Sequence, residues 1–320
     1  MSVVFRSLEE ATGRFGPCAL TIGNFDGVHI GHQQLVREAS EQAQARDWRS
    51  GILTFHPHPR TVVAPHRTAK LLATIDERLA LLEETGVDRI LVLPFTPELA
   101  NLSAELFVRQ ILVQALETRF VVVGDNFRFG HKQGGDPALL AALGGKLGFE
   151  TLFVPQIRYR GEAVSSTLIR EHLQQGHVAR AGRLLGRCYS VSGPVVSGHG
   201  IGSKQTVPTL NLKPSDDVLP ASGVYISEVH DLDNDRRWPS ITNIGTRPTF
   251  DGDEITIESY LLSPLLGGSP KNIRVDFRRW VRAEQKFPDP TALKAQILRD
   301  VGRANTYWRR TTQYQLNRMV

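Results

Sequence analysis

The stretch Thr21–His32 reads TIGNFDGVHIGH, and it separates an apolar run from a helical one. Ala19 to Ile22 are uniformly strand-like and end at Gly23, while beyond Gly31 the residues Leu35, Val36 and Ala39 recur at helical spacing. The order is therefore strand, turn, helix. Gly23 and Gly27 let the backbone approach a ligand where a Cβ would collide, and the helix that follows offers unpaired amides at the positive end of its dipole. Phosphate suits such a place. His29 and His32 stand three apart at the mouth of that helix, so both rings can face one ligand and donate to phosphoryl oxygens. No Ser or Cys stands in the motif as a nucleophile, so the pair reads as charge stabilisation in phosphoryl or nucleotidyl transfer. Two plainer readings stay open: a helix-start pair, or two zinc ligands, although no Cys or third His lies at metal spacing.

Outward from this turn the first half alternates strand and helix. Strands are expected at Val3–Phe5, Ser50–Thr54, Ile90–Leu93 and Phe120–Val123, and helices at Gln33–Ala45 and from Ser103 to Ala115. A further helix opens at Thr74, where Glu77 completes a capping box and Leu79, Leu81 and Leu82 supply an apolar face. Such alternation builds a parallel sheet with crossover helices. The Ser50 strand runs into Phe55, His56, Pro57, His58, Pro59 and Arg60, where two prolines are expected to stop regular structure at the edge where open α/β sheets bind ligands. After Phe120–Val123 comes the loop Gly124–Asp136, GDNFRFGHKQGGD. Arg128 and Lys132 can meet anions there, and Phe127 and Phe129 offer flat faces to a planar ring such as a flavin or adenine, or else close the core. Val164–Arg170, VSSTLIR, puts hydroxyls at a helix start with Arg170 in its first turns, a second anion cradle or a simple cap.

After Gly176 the texture changes. A short helix, Arg180–Arg187, gives way to closely spaced strands at Tyr189–Val196, Gly223–Val229, Ser240–Ile244, Thr256–Leu262 and Ile273–Trp280, then a helix at Thr291–Val301. That is the pattern of an antiparallel barrel closed by a terminal helix, and the boundary is expected near Gly186. Alternation in the Thr256 strand puts Ile255 and Ile257 toward the core and Glu258 toward solvent or a site.

The 320 residues suffice for two ordinary cores. The longest apolar runs, such as Ile90–Leu93, fall far short of the roughly 20 residues of a membrane span. Arg6, Glu9 and Glu10 stand where a signal peptide needs an apolar core, and Cys18 and Cys188 form no C-x-x-C. A cytoplasmic protein with two buried thiols is expected. The net charge is +5, and Lys271–Val320 alone carries 12 basic and 4 acidic side chains, which is +8 and leaves −3 for the rest. Such a segment suits nucleic acid or an anionic nucleotide, or is a solvated face of the terminal helix, since Arg278, Arg279, Arg282 and Lys286 are interleaved with apolar residues.

GNFDGVHIGHQQLV resembles the signature of the nucleotidyltransferase superfamily, and in this form it looks like the bacterial bifunctional riboflavin kinase and FMN adenylyltransferase family, also called FAD synthetase. TFHPHP, GDNFRFGHKQGGD and VSSTLIR are similar to further motifs of that family, in its order. The resemblance implies a Rossmann-like adenylyltransferase domain over residues 1–185 and a riboflavin kinase barrel over 186–320. For the first domain it implies contacts to ATP phosphates from Gly23, Asn24, Phe25, Asp26, His29, His32, Ser166, Thr167 and Arg170, with His29, His32 and Arg170 catalytic. His58, Asp125, Asn126, Phe127, Arg128 and Phe129 fall on the flavin side, with Arg247 added from the barrel.

In the second half Gly198, Gly200 and Gly202 precede Val207-Pro208-Thr209-Leu210-Asn211, which resembles the kinase pattern of a glycine-rich loop before P-T-A-N. The resemblance implies phosphate binding by those glycines, Mg2+ at Thr209 and Asn211, and Glu258 as the catalytic base. Asn243, Gly245–Pro248 and Val281–Phe287 match the family well. Three features depart from it: PTAN reads PTLN, Ser203, Gln205, Thr206 and Val207 replace the usual basic and glycine positions, and Leu262–Gly268 replaces an acidic, tyrosine-containing segment. The implied function is riboflavin plus ATP to FMN, then FMN plus ATP to FAD and pyrophosphate, both with Mg2+, on small-molecule substrates without membrane or nucleic acid. The rivals are an adenylyltransferase whose kinase half has decayed and a flavin- or RNA-binding regulator without turnover.

Overall fold

The computed structural model describes residues 2–67, 70–196, 209–215, 217–249 and 252–319. The chain divides into two compact units, Met1–Ser166 and Thr167–Val320.

In the first unit the elements run β1 (Val3–Phe5), α1 (Leu8–Ala11), β2 (Cys18–Ile22), α2 (Ile30–Gln44), β3 (Arg49–His56), α3 (Pro59–Val63), α4 (Ile75–Glu83), β4 (Arg89–Pro94) and α5 (Pro97–Ala100). Then come α6 (Ala104–Leu106), which continues as a π-helical stretch Phe107–Ala115, β5 (Thr118–Gly124), α7 (Pro137–Leu147), β6 (Glu150–Val154) and the hairpin β7 (Arg158–Tyr159) and β8 (Glu162–Ala163). The six long strands form one sheet in the order β1-β4-β3-β2-β5-β6, every neighbour parallel. Parallel strands must be covered on both faces, and alternate side chains do this. Leu20, Ile22, Leu53, Leu91, Val121 and Val123 pack on one side with Val108, Leu112 and Leu140, while Ile52, Ile90 and Val92 pack on the other with Val36, Leu79 and Leu82. Chain order runs outward from β2 to β4 on one side and from β5 to β6 on the other, so the sheet switches direction between β2 and β5. Ligands of open α/β sheets bind at the carboxyl ends of strands at such a switch point.

Three details differ from the sequence reading. Pro59 does not end regular structure: it is the first residue of α3, where its missing N–H costs nothing. The segment 137–154, left without elements in the sequence, holds both α7 and β6; Asp136 caps the helix through Leu139 N at 2.8 Å, and Gly148 closes it in the left-handed region. The helix expected from Ser103 to Ala115 is present, yet most of it is π-helical.

The second unit begins within α8 (Ser166–Gln174) and continues through α9 (Val178–Leu185), β9 (Tyr189–Val196), β10 (Thr209–Leu212), β11 (Gly223–Asp231), β12 (Arg237–Thr249), β13 (Gly252–Leu261), β14 (Asn272–Ala283) and α10 (Pro290–Met319). Its six strands close an antiparallel barrel in the order β10-β13-β12-β11-β14-β9. Tyr225 and Phe277 meet edge-on at 5.2 Å, and a buried chain of hydroxyls links Ser240, Ser227, Thr242 and Ser259 at 2.7–2.8 Å. Outside, Val224, Ile226 and Ile241 pack under Ala304, with Val301, Tyr307 and Trp308 around it. That contact explains why α10 runs well past the expected end at Val301: its apolar positions continue at helical spacing through Trp308. Ile257 is buried as expected, but Ile255 is exposed. Cys18 is buried, and burial pushes its thiol up to about 12; Cys188 is only half-buried, with Arg278 Nη1 donating to its sulfur at 3.1 Å.

Candidate functional site

The turn after β2 is held in a conformation that side chains resist. Phe25 and Val28 both have positive φ, +49° and +40°, which costs on the order of 1–3 kcal/mol each. Burial and hydrogen bonds hold them there. Phe25 is wholly buried and Val28 nearly so; Val28 N donates to Phe25 O at 3.0 Å, and the Gln33 side-chain amide donates to Val28 O at 2.9 Å. Gly27, at φ +78°, takes the left-handed position that suits it. The buried Asp26 carboxylate accepts Leu72 N at 2.9 Å, and Ser166 Oγ donates to Asp26 O at 2.9 Å. Of the expected phosphate contacts, Phe25 therefore has only its backbone to offer, since its ring lies in the core beside His32 at 5.1 Å.

His29 is both a helix cap and a site candidate. Its Nδ1 accepts His32 N at 3.3 Å, so in the neutral ring Nε2 carries the proton. The two imidazoles stack 3.5 Å apart and 14° from parallel. His32 is half-buried, with Nδ1 enclosed and unpartnered among the described residues. Burial first, then the charges of His29 and Arg78, hold His32 well below its ordinary value, so it is a neutral donor at physiological pH.

Two of the other sequence motifs lie at the same sheet edge. His56 ends β3, the neighbour of β2, and His58 follows it, its Nδ1 capping α3 by accepting Arg60 N at 3.1 Å. The Gly124–Asp136 loop follows β5, the neighbour of β2 on the other side. Asp125, Asn126 and Arg128 are exposed there. Phe127 is half-buried, whereas the Phe129 ring belongs to the core, stacked on Phe127 at 5.4 Å and tilted against Phe107 at 6.0 Å. Gly130, at φ +71°, passes so close to α6 that a Cβ would lie 2.6 Å from Ala104 N. Ser166 starts α8 with its hydroxyl bound as described; Thr167 next to it is exposed and Arg170 half-buried.

On the barrel, strand register does the positioning. Asn211 of β10 and Asn243 of β12 are the direct partners of Glu258 on the strand between them, so three polar residues form a row across one face. Thr209 pairs with Tyr260 one step along and is exposed. Gly245 leaves room for another carboxylate: a Cβ there would lie 2.4 Å from Glu284 Oε1. Thr209 and Asn211 bring hard oxygen donors without thiol or imidazole, the set that suits Mg2+. Gly198, Gly200 and Gly202 lie outside the described residues, as does the side chain of Arg247.

A family model described as FAD synthetase matches residues 13–168, and one described as riboflavin kinase matches residues 185–308. The chain is 38% identical over 283 residues to the bifunctional riboflavin kinase/FMN adenylyltransferase of Escherichia coli, covering 88% of this chain and 90% of that one. It belongs to the bifunctional riboflavin kinase/FMN adenylyltransferase family. The relative of that name in Pseudomonas fluorescens is 36% identical over 288 residues, 90% of this chain and 92% of that one. A crystal structure described as a macrolide-efflux protein from Streptococcus pneumoniae matches with a TM-score of 0.84 at 26% identity, over 93% of this chain and 97% of that one. Among the described residues here, no helix is long and apolar enough to cross a membrane.

Within this family member, Asn243 and Glu284 were not singled out as site residues from sequence, although both lie in tracts that match the family. A further polar cluster belongs to neither site. His230 Nε2 lies 3.2 Å from Glu228 and 3.1 Å from Asp276, and these are the one group of His, Cys, Asp and Glu among the described residues spaced to hold a metal ion. Arg278 already meets Glu228 at 2.5 Å, and Arg274 meets Asp276 at 2.9 Å and His230 Nδ1 at 3.3 Å. Two guanidiniums thus neutralise the two carboxylates, and the group reads as an ion-pair network. It also shows where part of the basic C-terminal charge goes: Arg278 and Arg282 lie on β14, not on the terminal helix, and Arg282 pairs with Asp300 at 2.8 Å.

Proposed function

We propose that the chain makes FAD in two ATP-dependent steps, riboflavin to FMN on the barrel and FMN to FAD at the edge of the parallel sheet. The observation that carries this reading is the coincidence of two sites in one chain: three motif loops on the adjacent strands β3, β2 and β5 at the switch point, and the Asn211–Glu258–Asn243 row on the barrel. In the first step Glu258 takes the proton of the riboflavin 5′-hydroxyl as its oxygen attacks the γ-phosphorus of ATP, and ADP leaves. Thr209 and Asn211 would hold Mg2+, which when bound neutralises charge on the phosphates. The phosphates are assigned to the backbone around Gly198, Gly200 and Gly202.

In the second step an oxygen of the FMN phosphate attacks the α-phosphorus of ATP and pyrophosphate leaves. His29 and His32 donate hydrogen bonds to the phosphoryl oxygens where negative charge grows, and Ser166, Thr167 and Arg170 hold the departing phosphates. His58, Asp125, Asn126, Phe127 and Arg128 form the flavin side, with Phe129 acting from behind by supporting Phe127. The functional division is placed at residues 185 and 186, in keeping with where the riboflavin kinase match begins. Two unpaired cysteines support a cytoplasmic setting, and the ion-paired arginines of β14 support small-molecule substrates without nucleic acid.

The test is chromatography of flavins after the purified protein is incubated with Mg2+, ATP and, separately, riboflavin or FMN. FAD from both substrates is expected. FAD from FMN alone would show that the changed segments around Val207 and Leu262–Gly268 have cost the kinase step, and no flavin product from either would overturn the assignment.

A further inference from the structure

Arg78 is almost wholly buried, yet among the described residues its guanidinium hydrogen-bonds two backbone carbonyls and forms no ion pair with a carboxylate. It sits on α4 among Ile75, Leu79 and Leu82, the helical stripe that faces the core. Its Nη1 donates to Asn24 O at 2.7 Å and its Nη2 to Phe55 O at 2.9 Å, while Nε has no partner among the described residues. Asn24 is the second residue after β2, and Phe55 is the penultimate residue of β3. One guanidinium therefore spans the two adjacent strand ends that carry the GNFDG turn and the FHPHP loop. Burying a cation is expensive and two carbonyl bonds recover only part of that cost. Burial lowers the Arg78 pKa, and the nearby Asp26 charge offsets this only in part; a guanidinium stays charged nonetheless. A side chain that costs so much where Leu or Met would pack asks for a role other than stability.

We propose that Arg78 is a positioning residue for adenylyl transfer, tying the Asn24 turn to the Phe55 loop and setting a fixed positive charge behind the turn that meets the phosphates. This rests on the adenylyltransferase reading above. The tie acts on geometry: Asn24 O also accepts Thr54 Oγ1 at 3.3 Å, so the turn is pinned to β3 from two directions, and its height sets where His29 and His32 stand. The charge acts on the histidines: after burial and His29, Arg78 is the remaining cause that keeps His32 unprotonated, and after burial it is the leading cause that lowers His56. A neutral His32 keeps its proton as a hydrogen-bond donor and does not become an acid, while an anionic substrate is still drawn by the charge behind it.

The chain contains its own control, because the kinase step uses residues of the other unit. In full-length Arg78→Met, which keeps an unbranched apolar stem and removes charge and donors, the FMN-to-FAD kcat is expected to fall about 100-fold, as for a misplacement near 1 Å. The KM for FMN should change far less, and the riboflavin-to-FMN rate should remain. Arg78→Lys restores the charge and reaches one carbonyl, and should recover at least about tenfold of that loss. Wild-type kcat for FAD formation in a folded Arg78→Met protein overturns the proposal, and so does an equal fall in both activities. If Arg78→Met does not fold, Arg78→Lys decides: a reduced FAD kcat with the kinase rate intact supports the tie, and an unchanged kcat refutes it. Wild-type protein that makes no FAD from FMN would instead break the underlying reading.

Discussion

The two sites are built in opposite ways. At the parallel sheet the groups proposed to react come from loops and helix starts, and the turn that leads to them is fixed by a few long-range polar links: Arg78 to Asn24 and Phe55, Leu72 N to Asp26, Ser166 to Asp26 O. On the barrel the groups sit within strands, and the ladder itself lines up Asn211, Glu258 and Asn243. A loop site depends on a handful of bonds from far along the chain. A ladder site depends on many equivalent bonds, none of them decisive. The first is therefore expected to lose activity through residues that never touch substrate, and the second almost only through residues that do.

The sharpest way to break this contrast is Glu258→Gln. If Glu258 is the general base proposed for it, removing it from a row that the ladder holds in place should lower riboflavin phosphorylation by about 100- to 10,000-fold and leave FAD formation from FMN unchanged. A drop in both rates would mean that the barrel does not act alone. His32→Ala should do the reverse, costing FAD formation about 100- to 1,000-fold with the kinase rate kept, since it removes one oriented donor. Equal loss in both assays would defeat the two-site picture.

A smaller effect sharpens the barrel's side of the comparison. Hydrogen bonding from His230, and then from Arg278, holds the Glu228 carboxyl at about 2, below its ordinary 4.5, against the opposing effect of burial. Its stabilising contribution is complete above pH 4.5 and disappears as the pH falls toward 2. His230, raised by its bonds to Asp276 and Glu228, contributes below pH 6.5 and loses that contribution as the pH climbs through its raised value. Glu228→Gln should cost on the order of 3 kcal/mol at pH 7 by urea unfolding of the barrel transition, with the gap from wild type shrinking at pH 3. A gap of the same size at both pH values would remove the ionic explanation. Neither catalytic rate should change, because none of the network's residues is assigned to either site.

Much of this was legible because it is written in local chemistry. Gly23 and Gly27 mark a turn, Thr74 and Glu77 a capping box that is fully formed, and the alternation from Val3 to Val123 a parallel sheet. What stayed hidden has physical reasons. Residues 137–154 mix Gly and Ala with a few leucines, so neither α7 nor the half-buried β6 shows a clean period. Pro59 reads as a breaker unless the start of a helix is already known. Phe129 looks like a ligand platform from its neighbours, and only the approach of Phe107 across the fold commits it to the core. Arg78 left a signal that went unused: a lone charge at the buried stripe Ile75, Leu79 and Leu82 has to be meeting something inside.

The barrel is closed, and closure has a consequence for how its site can change over time. In an open sheet an edge strand can gain or lose a residue and the slip ends at the edge. Around β10-β13-β12-β11-β14-β9 the offsets between neighbours must add to one fixed stagger, so a slip in β13 has to be undone somewhere else on the ring. The alignment of Asn211, Glu258 and Asn243 is thus a property of the whole circuit. Insertions are confined to the connections between strands, and natural variation in this half should gather in segments such as Leu262–Gly268, which can lengthen or shorten while the row stays in line.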